Sequence, residues 1–111
     1  MKCWILKNQQ PARVEVDELP ENFNNGIHNC VALDRIVSPS GNWIGVSTVL
    51  LPFHPEFFNT DTPCFETIAV GVRELEDFDW RCGTRDEALK QHAEVVALVN
   101  EALGKKRLDL S

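Results

Sequence analysis

The sequence predicts an α+β fold: a mostly antiparallel sheet of four to five strands with one long C-terminal helix packed on one face. Three observations carry this reading. Two runs rich in β-branched residues, 42–51 and 64–72, alternate in side-chain size with the two-residue period of a strand. A capped run of helical periodicity follows from Thr84 to Gly104. The stretches between carry the Pro, Gly and Asn signals of turns.

Taken in order, "CWIL" (3–6) predicts a first strand and "KNQQP" a polar turn. "ARVEV" (12–16) places Ala12, Val14 and Val16 on one side, as the returning arm of a hairpin does. "DELPENFNNGIHN" (17–29), broken by Pro20 and Asn25-Gly26, predicts an irregular connection with one helical turn. "CVALDRIVS" (30–38) reads as a strand and "PSGN" (39–42) as the turn after it. In "NWIGVSTVLL" (42–51), Ile44, Val46, Thr48 and Leu50 share one face, with Gly45 and Ser47 opposite, flanked by Trp43 and Val49. In "CFETIAVGV" (64–72), Ile68, Val70 and Val72 share a face, with Ala69 and Gly71 opposite. A bulky face and a smaller face on each strand predict an antiparallel pair covered by a helix on one side. "ELED" predicts a turn, and "FDWRC" (78–82) alternates Phe78, Trp80 and Cys82 against Asp79 and Arg81.

The helix opens with Thr84, and Glu87 stands three residues later, the spacing of a capping box. Leu89, His92, Val96, Val99 and Leu103 form its apolar stripe. Gly104 is placed as a left-handed stop, followed by Lys105, Lys106 and Arg107, whose charge suits a helix C-terminus. No repeat or linker divides the chain, so residues 1–111 are read as a single domain.

Composition excludes several classes. No run of 18 apolar residues is present, so no membrane span is expected. The start of the chain has too few apolar residues for a signal-peptide core, so a cytoplasmic location is expected. On that footing the four widely spaced cysteines, Cys3, Cys30, Cys64 and Cys82, are read as reduced thiols. A net charge of −6 disfavours nucleic acid as a partner, because phosphate contacts need a surplus of Lys and Arg. The motifs of phosphate loops and of serine hydrolases are absent. No cofactor is implied.

The stretches "VSTVLLPFHPEFF", "CFETIAV" and "RCGTRDEALKQH" together resemble a family of small bacteriophage and prophage proteins of uncharacterised function. The shared pattern is a Val-Ser-Thr-Val strand, a histidine just past it, a Phe-Glu-Thr strand opening and a Glu-Ala-Leu helix with a histidine one turn in. Phe53 stands where that pattern has an acidic residue, and Arg85 where it has an aromatic. The resemblance implies a phage or mobile-element accessory protein in the cytoplasm of a host cell.

The loop 52–64 is longer than a hairpin needs and holds Phe53, His54, Phe57 and Phe58. These four are the candidate partner-binding residues, and the leading expectation is an accessory protein acting by protein–protein interaction. Inhibition of a host defence factor fits its size and acidity. Two other classes stand beside it. One is a small metal-dependent or thiol enzyme using His54, Cys64, Glu66 and His92, although no pair of these has the local spacing of a metal motif. The other is a structural homo-oligomer, a homodimer through an uncovered sheet face or an unpaired strand edge being the expected form.

Overall fold

A computed structural model describes residues 1–55 and 61–110, the last six as backbone alone. Among these residues six strands form two antiparallel sheets. β1 (Lys2–Lys7) and β2 (Gln10–Glu15) make a hairpin. β3 (Cys30–Val37), β4 (Trp43–Leu51), β5 (Cys64–Val70) and β6 (Asp79–Cys82) make a meander in that spatial order. The predicted helical turn is α1 (Asn25–His28), and the long helix is α2 (Arg85–Leu110), laid across one face of the meander. The expected α+β architecture is present, with the hairpin as a separate small sheet.

The hairpin turns through Asn8 and Gln9, whose φ of 51° and 65° are the left-handed pair that a two-residue type I′ loop requires. Arg85 Nη2 donates to Gln9 Oε1 at 2.9 Å, which ties this turn to the start of α2. That start is capped as the sequence predicts: the Glu87 N–H donates to Thr84 Oγ1 at 3.2 Å.

The helix buries Ala88, His92, Val95, Val99 and Leu103. The predicted stripe is therefore displaced by one residue at two places, with Leu89 exposed and Val96 only partly buried. The reason lies in the sheet. Leu50 and the large Phe65 fill the space under the first turn of α2, and Ala88 packs there as the small partner. Gly104 does not end the helix. It lacks a left-handed φ, and the backbone continues helical to Leu110. The predicted role of Lys105, Lys106 and Arg107 concerns side chains outside the described residues.

The core is two apolar clusters. One joins Ile44, Val46, Ala69 and Val72 to Val95, Val99 and Leu103. The other joins Leu50, Phe65 and Ala88, with Trp4 and Leu6 from the hairpin packed against it. β4 faces α2 with Ile44, Val46, Thr48 and Leu50, as its alternation predicts. β5 faces it with the other parity. Pairing of Leu50 with Phe65, Thr48 with Thr67 and Val46 with Ala69 puts these residues on the helix side. Ile68 and Val70, read from the sequence as the bulky face alongside Val72, are exposed on the opposite side. Val72 escapes this parity because Gly71 (φ 101°) turns the chain, and Val72 enters the core. A side chain at Gly71 would bring Cβ within 2.8 Å of the Trp43 carbonyl oxygen.

One buried amide docks the hairpin onto the meander. Asn29 is fully buried; its Oδ1 accepts from the Leu6 N–H at 3.0 Å. Its Nδ2 donates towards the carbonyls of Trp4 (3.1 Å) and Leu50 (3.0 Å) and towards Asn25 Oδ1 (2.8 Å). The amide thus fills the role of a missing peptide between β1 and β4. The Trp4 N–H, bonded to the Pro52 carbonyl at 2.8 Å, continues the same seam.

Two outcomes follow for stability. Asn29→Ala should cost about 3 kcal/mol or more, since it leaves several buried backbone groups without partners. Val95→Ala should cost about 2 kcal/mol, and Val96→Ala clearly less, because only Val95 is enclosed. Urea denaturation midpoints of the three variants check both; equal effects at 95 and 96 would place the helix in a different rotation.

Candidate functional site

Three places on the molecule concentrate unusual side chains: a buried polar chain, a cleft beside the β4–β5 loop, and the face of the meander that α2 leaves uncovered.

The polar chain lies between the two apolar clusters. His92 projects from α2 into the sheet, where its Nδ1 meets Thr48 Oγ1 at 2.8 Å. Thr48 Oγ1 meets Thr67 Oγ1 at 2.6 Å across the β4–β5 pair. On its other side His92 Nε2 lies 2.6 Å from Asp34 Oδ2 on β3. With Nε2–H donating to the Asp34 carboxylate, Nδ1 accepts from Thr48, which in turn accepts from Thr67. The order Asp34–His92–Thr48 repeats that of a nucleophilic triad. Here Thr48 is fully buried between Thr67 and the imidazole, so no substrate can reach its oxygen. The chain holds the helix to the sheet.

The cleft, about 320 Å³, is lined by His54, Thr62, Pro63, Cys64, Arg81, Cys82 and Gly83. It brings His54 and Cys64 to one place, as the sequence reading required of a thiol or metal centre. The other two members are elsewhere. Glu66 accepts from Arg81 Nε at 3.1 Å on the uncovered face of the sheet, and His92 is consumed by the polar chain on the opposite face. The four-residue constellation His54, Cys64, Glu66 and His92 is therefore not assembled. Among the described residues no cluster of three or more His, Cys, Asp or Glu has the geometry to hold a metal ion. All four cysteines are free thiols. Burial is the main cause that pushes the Cys82 thiol up, with the nearby Glu87 charge adding to it, so this sulfur is not an activated thiolate.

Of the residues proposed from the loop, Phe53 and His54 are half-buried, and Phe57 and Phe58 lie outside the described residues. The base of the loop is fixed to the hairpin by the bond from Trp4 to Pro52 and by an ion pair between Arg13 and Asp61.

The uncovered face of the meander is the third place. Trp43 is 68% exposed, Val70 58%, Leu33 52% and Val37 49%, and Ile68 is exposed between them. Register puts them on one surface. Leu33, Ser47, Ile68 and Asp79 form one row across the four strands, and Arg35, Gly45 and Val70 the next. Trp80 pairs with Thr67 and packs on the helix side. The exposed surface was missed at Ile68 and Val70 because their size suggests a core; the neighbouring Thr67 and Ala69 carry the true inward signal. Local spacing marks neither Asp34 nor Thr67, and Thr48 only as a member of the inward face of β4, because their partners are remote in sequence.

No protein-family model, curated protein or solved structure matches the chain.

Thr48→Val should cost about 1–3 kcal/mol, since the methyl that replaces the hydroxyl strands both Thr67 Oγ1 and His92 Nδ1. Thermal and urea unfolding measure this cost, and the native-state His92 ring resonances should shift with it. A neutral Thr48→Val would show that the polar chain contributes nothing to holding α2.

Proposed function

We propose that this protein is a small accessory protein that works by binding protein, with the helix-free face of its sheet as the contact surface. The observation that carries this reading is the exposed apolar set Leu33, Val37, Trp43, Ile68 and Val70 on one side of the meander. Contiguous apolar surface of that kind on a folded domain marks an interaction site more often than a solvated face. Trp43, the most exposed apolar side chain of this face, is also of the residue type most enriched among interface anchors. The charged residues of this face, Arg35, Glu66, Asp79 and Arg81, sit on the outer strands or towards the strand ends, where the polar rim of an interface belongs. No described helix is long and apolar enough to cross a membrane, so this surface is not offered to lipid by a spanning segment. The resemblance to phage and prophage proteins supports an accessory role in an infected cell. A host factor and a second copy of the chain are then the two partner classes.

The test is capture of bound protein by the tagged chain in bacterial cells, comparing Trp43→Glu and Val70→Glu with Leu98→Glu. Leu98 is an exposed leucine of α2, away from the sheet face. Each variant should keep its circular dichroism spectrum. Capture should be lost with the first two substitutions and kept with the third. Capture that survives both sheet-face variants would move the contact surface elsewhere.

A further inference from the structure

The open face carries a shape pattern that selects its occupant. β4 presents Gly45 and Ser47 there, and β5 presents Val70 and Ile68 in the same two rows. In these two rows small residues stand on β4 and large ones on β5, with Trp43 and Val49 flanking the small pair along β4. A Cβ added at Gly45 would meet nothing within 4 Å, so a shallow depression stands beside the ridge made by Ile68 and Val70.

We infer that the occupant of this face is a second copy of the chain, packed sheet to sheet about a twofold axis that runs parallel to the strands between β4 and β5. This deepens the reading of the face as a protein contact and rests on it. Such an axis lays β4 of each copy over β5 of the other, with strands aligned as in a two-sheet sandwich. Val70 of one copy then seats over Gly45 of its partner, Ile68 over Ser47, and the reverse contacts follow by symmetry. Trp43, at the end of β4, comes over the end of β5 beside Val70.

The charges match under the same operation. The axis carries β3 over the partner's β6. Arg35 makes no ion pair among the described residues, and it arrives one row, about 7 Å along the strand, from Asp79 of the other copy. That offset is within the reach of an arginine side chain.

Area sets the strength. Four strands about 4.8 Å apart, with β4 and β5 nine and seven residues long, outline roughly 500 Å² per copy, or roughly 1,000 Å² for the pair. That is the lower limit of specific interfaces, so a dimer that dissociates on dilution is expected.

Sedimentation equilibrium over a protein concentration series tests the inference. The wild-type chain should pass from monomer to dimer. Gly45→Leu adds apolar surface in open space and should leave the monomer's unfolding midpoint almost unchanged, yet weaken the dimer at least tenfold by filling the depression. Gly45→Val should also weaken it, and adding Val70→Ala should recover part of the loss. Arg35→Glu should weaken association, and Arg35→Glu with Asp79→Arg should restore it. A dimer that is indifferent to Gly45→Leu, or strengthened by it, forms by another surface and overturns the inference. A wild-type monomer at every concentration overturns it too. If that monomer still captures another protein through Trp43 and Val70, the face remains an interface with a different occupant. If it captures nothing, both readings fail.

Discussion

The His92 imidazole, held between Asp34 on β3 and Thr48 on β4, is the constraint on which the arrangement of this molecule depends. It stands where the apolar core is interrupted, with the Leu50–Phe65–Ala88 cluster on one side and the Ile44–Val46–Val95–Val99 cluster on the other. Apolar burial alone would tolerate a helix rotated or slid by part of a turn. A buried imidazole and two buried hydroxyls tolerate only the position in which each finds its partner, because a stranded group costs about as much as a small cavity. The polar chain therefore sets the rotation of α2, and with it which face of every strand is covered.

The consequence reaches the opposite side of the sheet. Once Thr48 and Thr67 must meet beneath His92, the two-residue period fixes the direction of every other side chain in β4 and β5. Gly45, Ser47, Ile68 and Val70 have to face away from the helix. The open face and its alternation of small and large residues are in this sense products of the buried chain. Asn29 performs a related task at the other end of the molecule, where its amide holds the hairpin against β4 and so closes the end of the core at Leu50.

What could be read from the sequence was local. The alternation of β4, the Thr84 cap and the single turn at 25–28 each depend on residues a few positions apart, and each is present in the fold. The parity of β5 is opposite to the one its side-chain sizes suggest, because size is not burial. Ile68 and Val70 are larger than Thr67 and Ala69, but strand pairing, a long-range relation, puts the smaller residues inside. The helix stripe differs at Leu89 for the same reason, since the space left by Phe65 and Leu50 favours Ala88, whereas Val95 and Val96 are equal in size and only the rotation of the helix decides between them. Neither the span of 58 residues from Asp34 to His92 nor that of 23 from Leu6 to Asn29 leaves any mark in local spacing. The candidate enzyme site dissolved on the same ground, since Glu66 and His92 fall on opposite faces of one sheet.

The meander thus has one covered face and one open face, in that orientation. Attenuation of side-chain NMR signals by a soluble paramagnetic agent, measured in dilute solution, tests it most directly. Strong attenuation is expected at the Trp43 indole and the Val70 and Leu33 methyl groups, and little at the methyl groups of Ile44, Val46 and Ala69. Protection of Trp43 and Val70 in the dilute monomer, with attenuation at Val46 and Ala69, would contradict it.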